Sequence, residues 1–85
     1  MRRAIKVKPM NNYLLLVRFD NGEERIFNCM SLMQSKLYSE LCDKEFFRTV
    51  HIDNMGVVCW NDSIDIDPYL LYEDSVPTME FAFAG

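Results

Sequence analysis

Apolar and basic residues alternate over Ile5-Lys6-Val7-Lys8, the period of a half-buried strand, and Pro9 limits how far that strand extends. Tyr13 to Asp20 is rich in β-formers, and a second such run covers Glu24 to Asn28. Between them lies Asp20-Asn21-Gly22-Glu23. Asn-Gly at such a place predicts a hairpin, because a type I′ turn needs positive φ at both central residues. With Asn21 and Gly22 as the loop, Arg18 faces Arg25 and Val17 faces Ile26. Two facing arginines are unfavourable unless something acidic lies over them. The acidic C-terminal third supplies it, or a bulge shifts the register by one, or the pair forms a small anion site.

From Met30 the period changes. Spacings of three and four gather Met30, Met33, Leu37 and Leu41 on one helical face, and Ser31 with Gln34 has the form of a capping box. Asp43 is placed to cap a further short turn carrying Phe46 and Phe47. Thr49 to Asp53 alternates again, with Val50 and Ile52 inward and His51 outward. Asn54-Met55-Gly56 then turns the chain into Val57 to Trp60, a second hairpin. Asp67 before Pro68 reads as an N-cap followed by the first position of a short helix. In the tail, Met79, Phe81 and Phe83 fall on one side of an extended strand. The expected architecture is α+β, an antiparallel sheet of about five strands (two hairpins plus the N-terminal strand) packed on one or two short helices. Residues 1–75 form the single domain, and residues 76–85 a C-terminal tail, with an extra edge strand as its expected use.

Composition adds constraint rather than detail. The 85 residues are 49% hydrophobic and 26% charged with three Gly and three Pro, as in an ordinary globular chain of one domain. The first eight residues contain no apolar core of signal-peptide length, and no window approaches a membrane span. Cys29, Cys42 and Cys59 are an odd number at wide spacing, each beside apolar neighbours. That suits buried thiols in a reducing compartment, and the cytoplasm is the expected location.

The formal net charge of −4 is unevenly spread. Arg2, Arg3, Lys6 and Lys8 make the start basic, whereas no Lys or Arg follows Arg48. Asp53, Asp62, Asp65, Asp67, Glu73, Asp74 and Glu80 all do. Ordinary solvated surface explains most of this, with the basic strand near the acidic third; the functional reading is an acidic surface that attracts a basic partner.

Catalytic chemistry finds little purchase. His51 is the sole histidine and sits at an outward strand position, where such side chains are usually solvated or packed. Cys42 is a conceivable partner for it, with nothing local to activate a thiolate. The cysteines have no zinc-ligand spacing, and Asp62, Asp65 and Asp67 lack the Gly and closing Glu of a calcium loop. No phosphate-binding Gly-rich loop is present. No cofactor and no metal is expected.

A resemblance runs through the chain in order. It rests on Ile5-Lys6-Val7-Lys8-Pro9, on Tyr13-Leu14-Leu15-Leu16-Val17-Arg18-Phe19-Asp20-Asn21-Gly22-Glu23, and on Phe27-Asn28. It continues with Leu41-Cys42-Asp43 before Phe46 or Phe47, Val50-His51-Ile52-Asp53, Val58-Cys59-Trp60, and Ile64-Asp65-Ile66-Asp67-Pro68 before Leu71-Tyr72. Over about residues 4 to 75 the sequence resembles bacterial domain-of-unknown-function family 2442. The resemblance implies a small α+β fold with meandering strands and a packed helix, often encoded beside another small protein as in toxin–antitoxin pairs. It supplies no catalytic residues. Some members carry a fused helix-turn-helix domain, which these 85 residues lack, and the Met79–Phe83 tail lies beyond the usual end.

The leading expectation is a non-catalytic protein-binding module, the antitoxin-like or regulatory half of a two-protein system. Its partner surface would comprise Asp62, Asp65, Asp67, Glu73, Asp74, Met79, Phe81 and Phe83. The partner is another small protein, a second copy is an alternative, and neither membrane nor direct nucleic-acid binding is expected. The competing class is a regulator that touches nucleic acid through Arg2, Arg3, Lys6 and Lys8, with Arg18 and Arg25 as further contacts. A small enzyme using His51 and nearby carboxylates is the third.

Overall fold

In the computed structural model, which describes residues 2–79, β1 (Ala4–Pro9) pairs antiparallel with β2 (Leu14–Phe19). The register slips between Ala4 and Lys6, so Ile5 is an extra residue on the bulged strand. Ala4 and Val7 thereby keep the inner face, while Ile5, inward by simple alternation, is turned out and 55% exposed. β3 (Glu24–Asn28) follows β2, and β6 (Val76–Pro77) closes the far edge, giving a four-stranded antiparallel sheet of order β1-β2-β3-β6. β4 (His51–Ile52) and β5 (Val58–Cys59) form a separate two-stranded ribbon. The α+β class and the two predicted hairpins stand, with the strands divided four and two rather than joined in one sheet.

The β2–β3 register differs by one residue from the two-residue loop. Leu16 faces Ile26, Val17 faces Arg25 and Arg18 faces Glu24. The loop is Asp20-Asn21-Gly22: Gly22 N–H donates to the Phe19 carbonyl at 2.9 Å, and Gly22 takes φ 88. This is the three-residue hairpin in which a type I turn ends in a left-handed glycine bulge. The Asn21 side chain accepts from Glu23 N–H and holds the turn, so one positive-φ residue suffices. The facing arginines never form.

A third reversal joins β1 to β2. Met10 N–H donates to the Leu14 carbonyl at 2.8 Å, and Asn12 and Tyr13 take φ 62 and 61. Tyr13 therefore belongs to the turn, and β2 begins one residue later.

The helical segment is wound more tightly than its spacing suggested. Cys29–Gln34 and Lys36–Cys42 are 3-10 helices, capped by the side chains of Asn28 and Ser35. Three residues per turn place Cys29, Leu32, Tyr38 and Leu41 on the core side. Of the face inferred from a 3.6-residue period, Leu41 and Met33 pack inward, whereas Met30 and Leu37 are 54% and 58% exposed. Ser31 is no cap, since its hydroxyl donates to the Asn28 carbonyl. Asp43 does cap α1 (Lys44–Phe47), accepting from Glu45 N–H. Asp67 caps α2 (Pro68–Glu73) with Pro68 in its first turn, accepting from Leu70 N–H at 3.1 Å.

These helices cover the inner face of the sheet, where Leu15, Val17 and Phe19 of β2 are completely buried with Phe27, Leu41 and Ile66 around them. Each such side chain contributes about 1.5–3 kcal/mol by leaving water. Trp60 joins the ribbon to this core, its indole N–H donating to the Phe47 carbonyl at 2.8 Å. Of the tail, Val76 and Pro77 pair with Ile26 and Arg25, and Thr78 and Met79 are helical rather than extended.

Candidate functional site

Arg25, for which an anion site is one of three readings of the sequence, is the centre of a structural clamp. Its Nε donates to Ser75 Oγ at 2.7 Å, one terminal nitrogen donates to the Ser75 carbonyl at 2.6 Å, and the other to Glu23 at 3.0 Å. The guanidinium lies 4.4 Å from the centre of the Tyr72 ring, and the Tyr72 hydroxyl donates to Glu23 at 2.6 Å. Glu23 accepts from Tyr72, Asn21 and Arg25, which hold its carboxyl below the ordinary glutamate value. Arg18 pairs with Glu24 at 2.7 Å on the exposed surface. Arg25 is thus engaged within the fold, whereas Arg18 stays substantially exposed beside Glu24. Arg3 lies against Gly56, where a Cβ would approach its Nε to 3.1 Å, while Arg2 borders a shallow depression with Tyr69 and Glu73. Lys6 stands opposite Arg18 across β1 and β2 with Lys8 further along β1, while Arg25 lies inside its clamp.

The histidine finds a cysteine, although a different one from Cys42. Cys59 faces His51 across the ribbon, with Sγ 3.6 Å from Nε2. His51 Nδ1 lies 3.0 Å from the Thr49 carbonyl, which can only accept, so Nδ1 carries the proton and Nε2 presents its lone pair to the thiol. Nucleophile, base and orienting group are therefore in line. The electrostatics oppose that use. Burial pushes the Cys59 thiol up, and the carboxylates of Asp53, Asp65 and Asp62 push it further. A thiol that resists ionisation is a poor nucleophile.

The same carboxylates mark an acidic face. Asp53, Asp62 and Asp65 are near enough to act on Cys59. Asp65 and Asp67 act on Tyr38, whose hydroxyl donates to the Asp65 carbonyl at 2.8 Å and is raised by burial and then by these charges. All four are exposed, and among the described residues none forms an ion pair. Glu73 and Asp74 are also exposed, at the end of α2. No group of three or more potential metal ligands occurs among the described residues. Met79 is 72% exposed; Phe81 and Phe83 lie outside the described residues.

A second surface was not anticipated as a unit. A cleft of about 560 Å³ opens between the β1–β2 turn and α1, lined by Lys8, Pro9, Met10, Asn11, Asn12, Tyr13, Lys44, Phe47 and Arg48. Tyr13 forms one wall. Its left-handed φ of 61 costs a bulky residue about 1–3 kcal/mol, and it is held by its hydroxyl donating to the Cys42 carbonyl at 2.8 Å and by edge-to-face packing on Phe47. Consecutive Asn11 and Asn12 are the signal that the turn leaves in the sequence, because Asn tolerates positive φ. Lys44 and Arg48 leave none, being brought to Lys8 by tertiary packing.

Fold and surfaces define a small α+β domain with a charged exterior and, among the described residues, no helix long and apolar enough to cross a membrane. The chain belongs to the family described as protein of unknown function (DUF2442), whose model matches residues 4–77. No curated protein and no solved structure matches it.

Proposed function

We propose that the protein is a non-catalytic protein-binding module, the antitoxin-like or regulatory member of a two-protein system, and that a basic segment of its partner docks on the acidic face. The observation that carries this reading is the crowding of Asp53, Asp62, Asp65 and Asp67 around Cys59 and Tyr38, with no cation paired to them among the described residues. Like charges placed together raise the energy of the free protein, and a cationic partner relieves that repulsion and is steered toward it. Glu73 and Asp74 add to the case. Acidic residues at a helix C-terminus oppose the helix dipole, a local cost that a binding surface explains better than stability does. The raised thiol of Cys59 weighs against the enzymatic alternative.

The test is affinity purification of the tagged chain from its native host, wild type beside the double variant Asp62→Lys/Asp65→Lys. A stoichiometric basic protein should accompany the wild type and be lost from the variant. Equal recovery with both, or a partnerless wild type, would remove the reading. An eluate carrying nucleic acid and no protein would move it to the regulator class.

A further inference from the structure

The cleft between the β1–β2 turn and α1 is independent of the partner face. We propose that it is a binding site for a phosphate ester, with Lys8, Lys44 and Arg48 holding the phosphate.

Charge is the first ground. Three cations from two separate segments converge on one concavity, and among the described residues no carboxylate lines it, although the chain as a whole is at −4. Among the described residues the ion pairs are Arg18–Glu24 and Arg25–Glu23, so Lys8, Lys44 and Arg48 are all without an acidic partner. Uncompensated convergence of this kind raises the local potential, and an anion in the cleft relieves it.

Ligand class follows from the number and kind of the cations. A single carboxylate needs one guanidinium. A phosphate group carries up to two charges on three free oxygens, which suits one forked Arg with two Lys as point charges. The side chains of Asn11 and Asn12 add neutral amide donors at the rim. A space of about 560 Å³ exceeds what a phosphate fills, and Pro9, Met10 and Tyr13 give it an apolar and aromatic wall for an organic body. The shared chemistry is a phosphate ester, whether of a free small molecule or of a nucleic-acid strand.

Rigidity is the second ground. Tyr13 is fixed in a left-handed conformation by its hydrogen bond to Cys42 and its contact with Phe47, the last residue of α1, which Lys44 opens and Arg48 caps. The turn and the helix are thus tied together through that side chain, which sets the distance between Lys8 on one wall and the cations on the other. Strained residues of this type gather at ligand clamps.

The experiment is a titration of the full 15N-labelled chain at constant ionic strength with inorganic phosphate, adenosine monophosphate and a short single-stranded oligodeoxynucleotide. Saturable shifts are expected at the amides of residues 8–13 and 44–48. Lys44→Ala/Arg48→Ala should weaken binding about tenfold or more, since charge-assisted hydrogen bonds are lost. Lys6→Ala, outside the cleft, should leave it unchanged. All three side chains are exposed, so the variants keep the fold, which circular dichroism checks. Binding of phosphate or the monophosphate assigns a free phosphorylated molecule, and binding of the oligonucleotide alone assigns a nucleic-acid backbone; either upholds the site. Absence of saturable shifts with every probe overturns it. So does equal binding by the double variant, or displacement of the phosphate by an aspartate-rich peptide at equal concentration.

Discussion

Two arginines on neighbouring strands show how far context sets the worth of one residue type. Arg18 and Glu24 are both substantially exposed, and such pairs contribute little once screening and side-chain entropy are counted. Arg25 is mostly buried and joins Glu23, Tyr72 and Ser75, tying the β2–β3 hairpin to the end of α2. Arg25→Met should lower the unfolding free energy by about 2–3 kcal/mol, because Ser75 loses its donors and Tyr72 its cation. Arg18→Ala should stay within about 1 kcal/mol of wild type. Urea denaturation of both variants measures the contrast. The cysteines divide in the same manner. Burial pushes the Cys29 thiol up to about 12, and Cys59 is raised as well, whereas Cys42 is exposed. Iodoacetamide at neutral pH should therefore label Cys42 first, with Cys29 and Cys59 following only on denaturation. Mass spectrometry of the time course reports the order, and early labelling of Cys59 would revive it as a nucleophile.

Elements bounded by local chemistry were legible, and those set by packing were not. Asp67-Pro68 and Asp43 name their helices through side-chain oxygens that accept from backbone N–H groups a few residues on, and both do so. Asp20-Asn21-Gly22 announced its hairpin equally well. It left the loop length open, because Asn-Gly serves both a two-residue turn and a glycine bulge, and the register followed that choice. The stretch from Cys29 to Cys42 misled for a different reason. Met30, Met33, Leu37 and Leu41 fit a 3.6-residue period, but Cys29, Leu32, Tyr38 and Leu41 fit a three-residue one, and tertiary burial selected the second. Hydrogen bonds in 3-10 helices are less well aligned than in α-helices, and their side chains eclipse. Amides of residues 29–42 should therefore exchange with solvent faster than those of β2 and β3. Exchange measured by NMR tests this, and equal protection would show that the segment opens only with the whole molecule.

At the level of the molecule, the α+β class could be read from the hairpin signals and the changes of period, whereas the unbroken apolar run Leu14–Val17 does not itself say that Leu15, Val17 and Phe19 face inward. The surfaces could not be read that way. Asp53, Asp62, Asp65 and Asp67 are close in sequence and stand out as an acidic run, yet Lys8 and Arg48 are forty residues apart and meet only when α1 packs beside the first turn. The sheet has one further property that follows from its order. β1 and β6 are its outer strands; β1 carries Lys6 and Lys8 and ends in Pro9, while β6 is two residues long and ends in Pro77. A second copy pairing its own β1 against this edge would bring lysines against lysines, and β6 offers too short a rim to carry a ladder further. At high concentration the molecule is thereby guarded against fibre growth from either margin, and replacing Lys6 and Lys8 with valine would remove half of that guard.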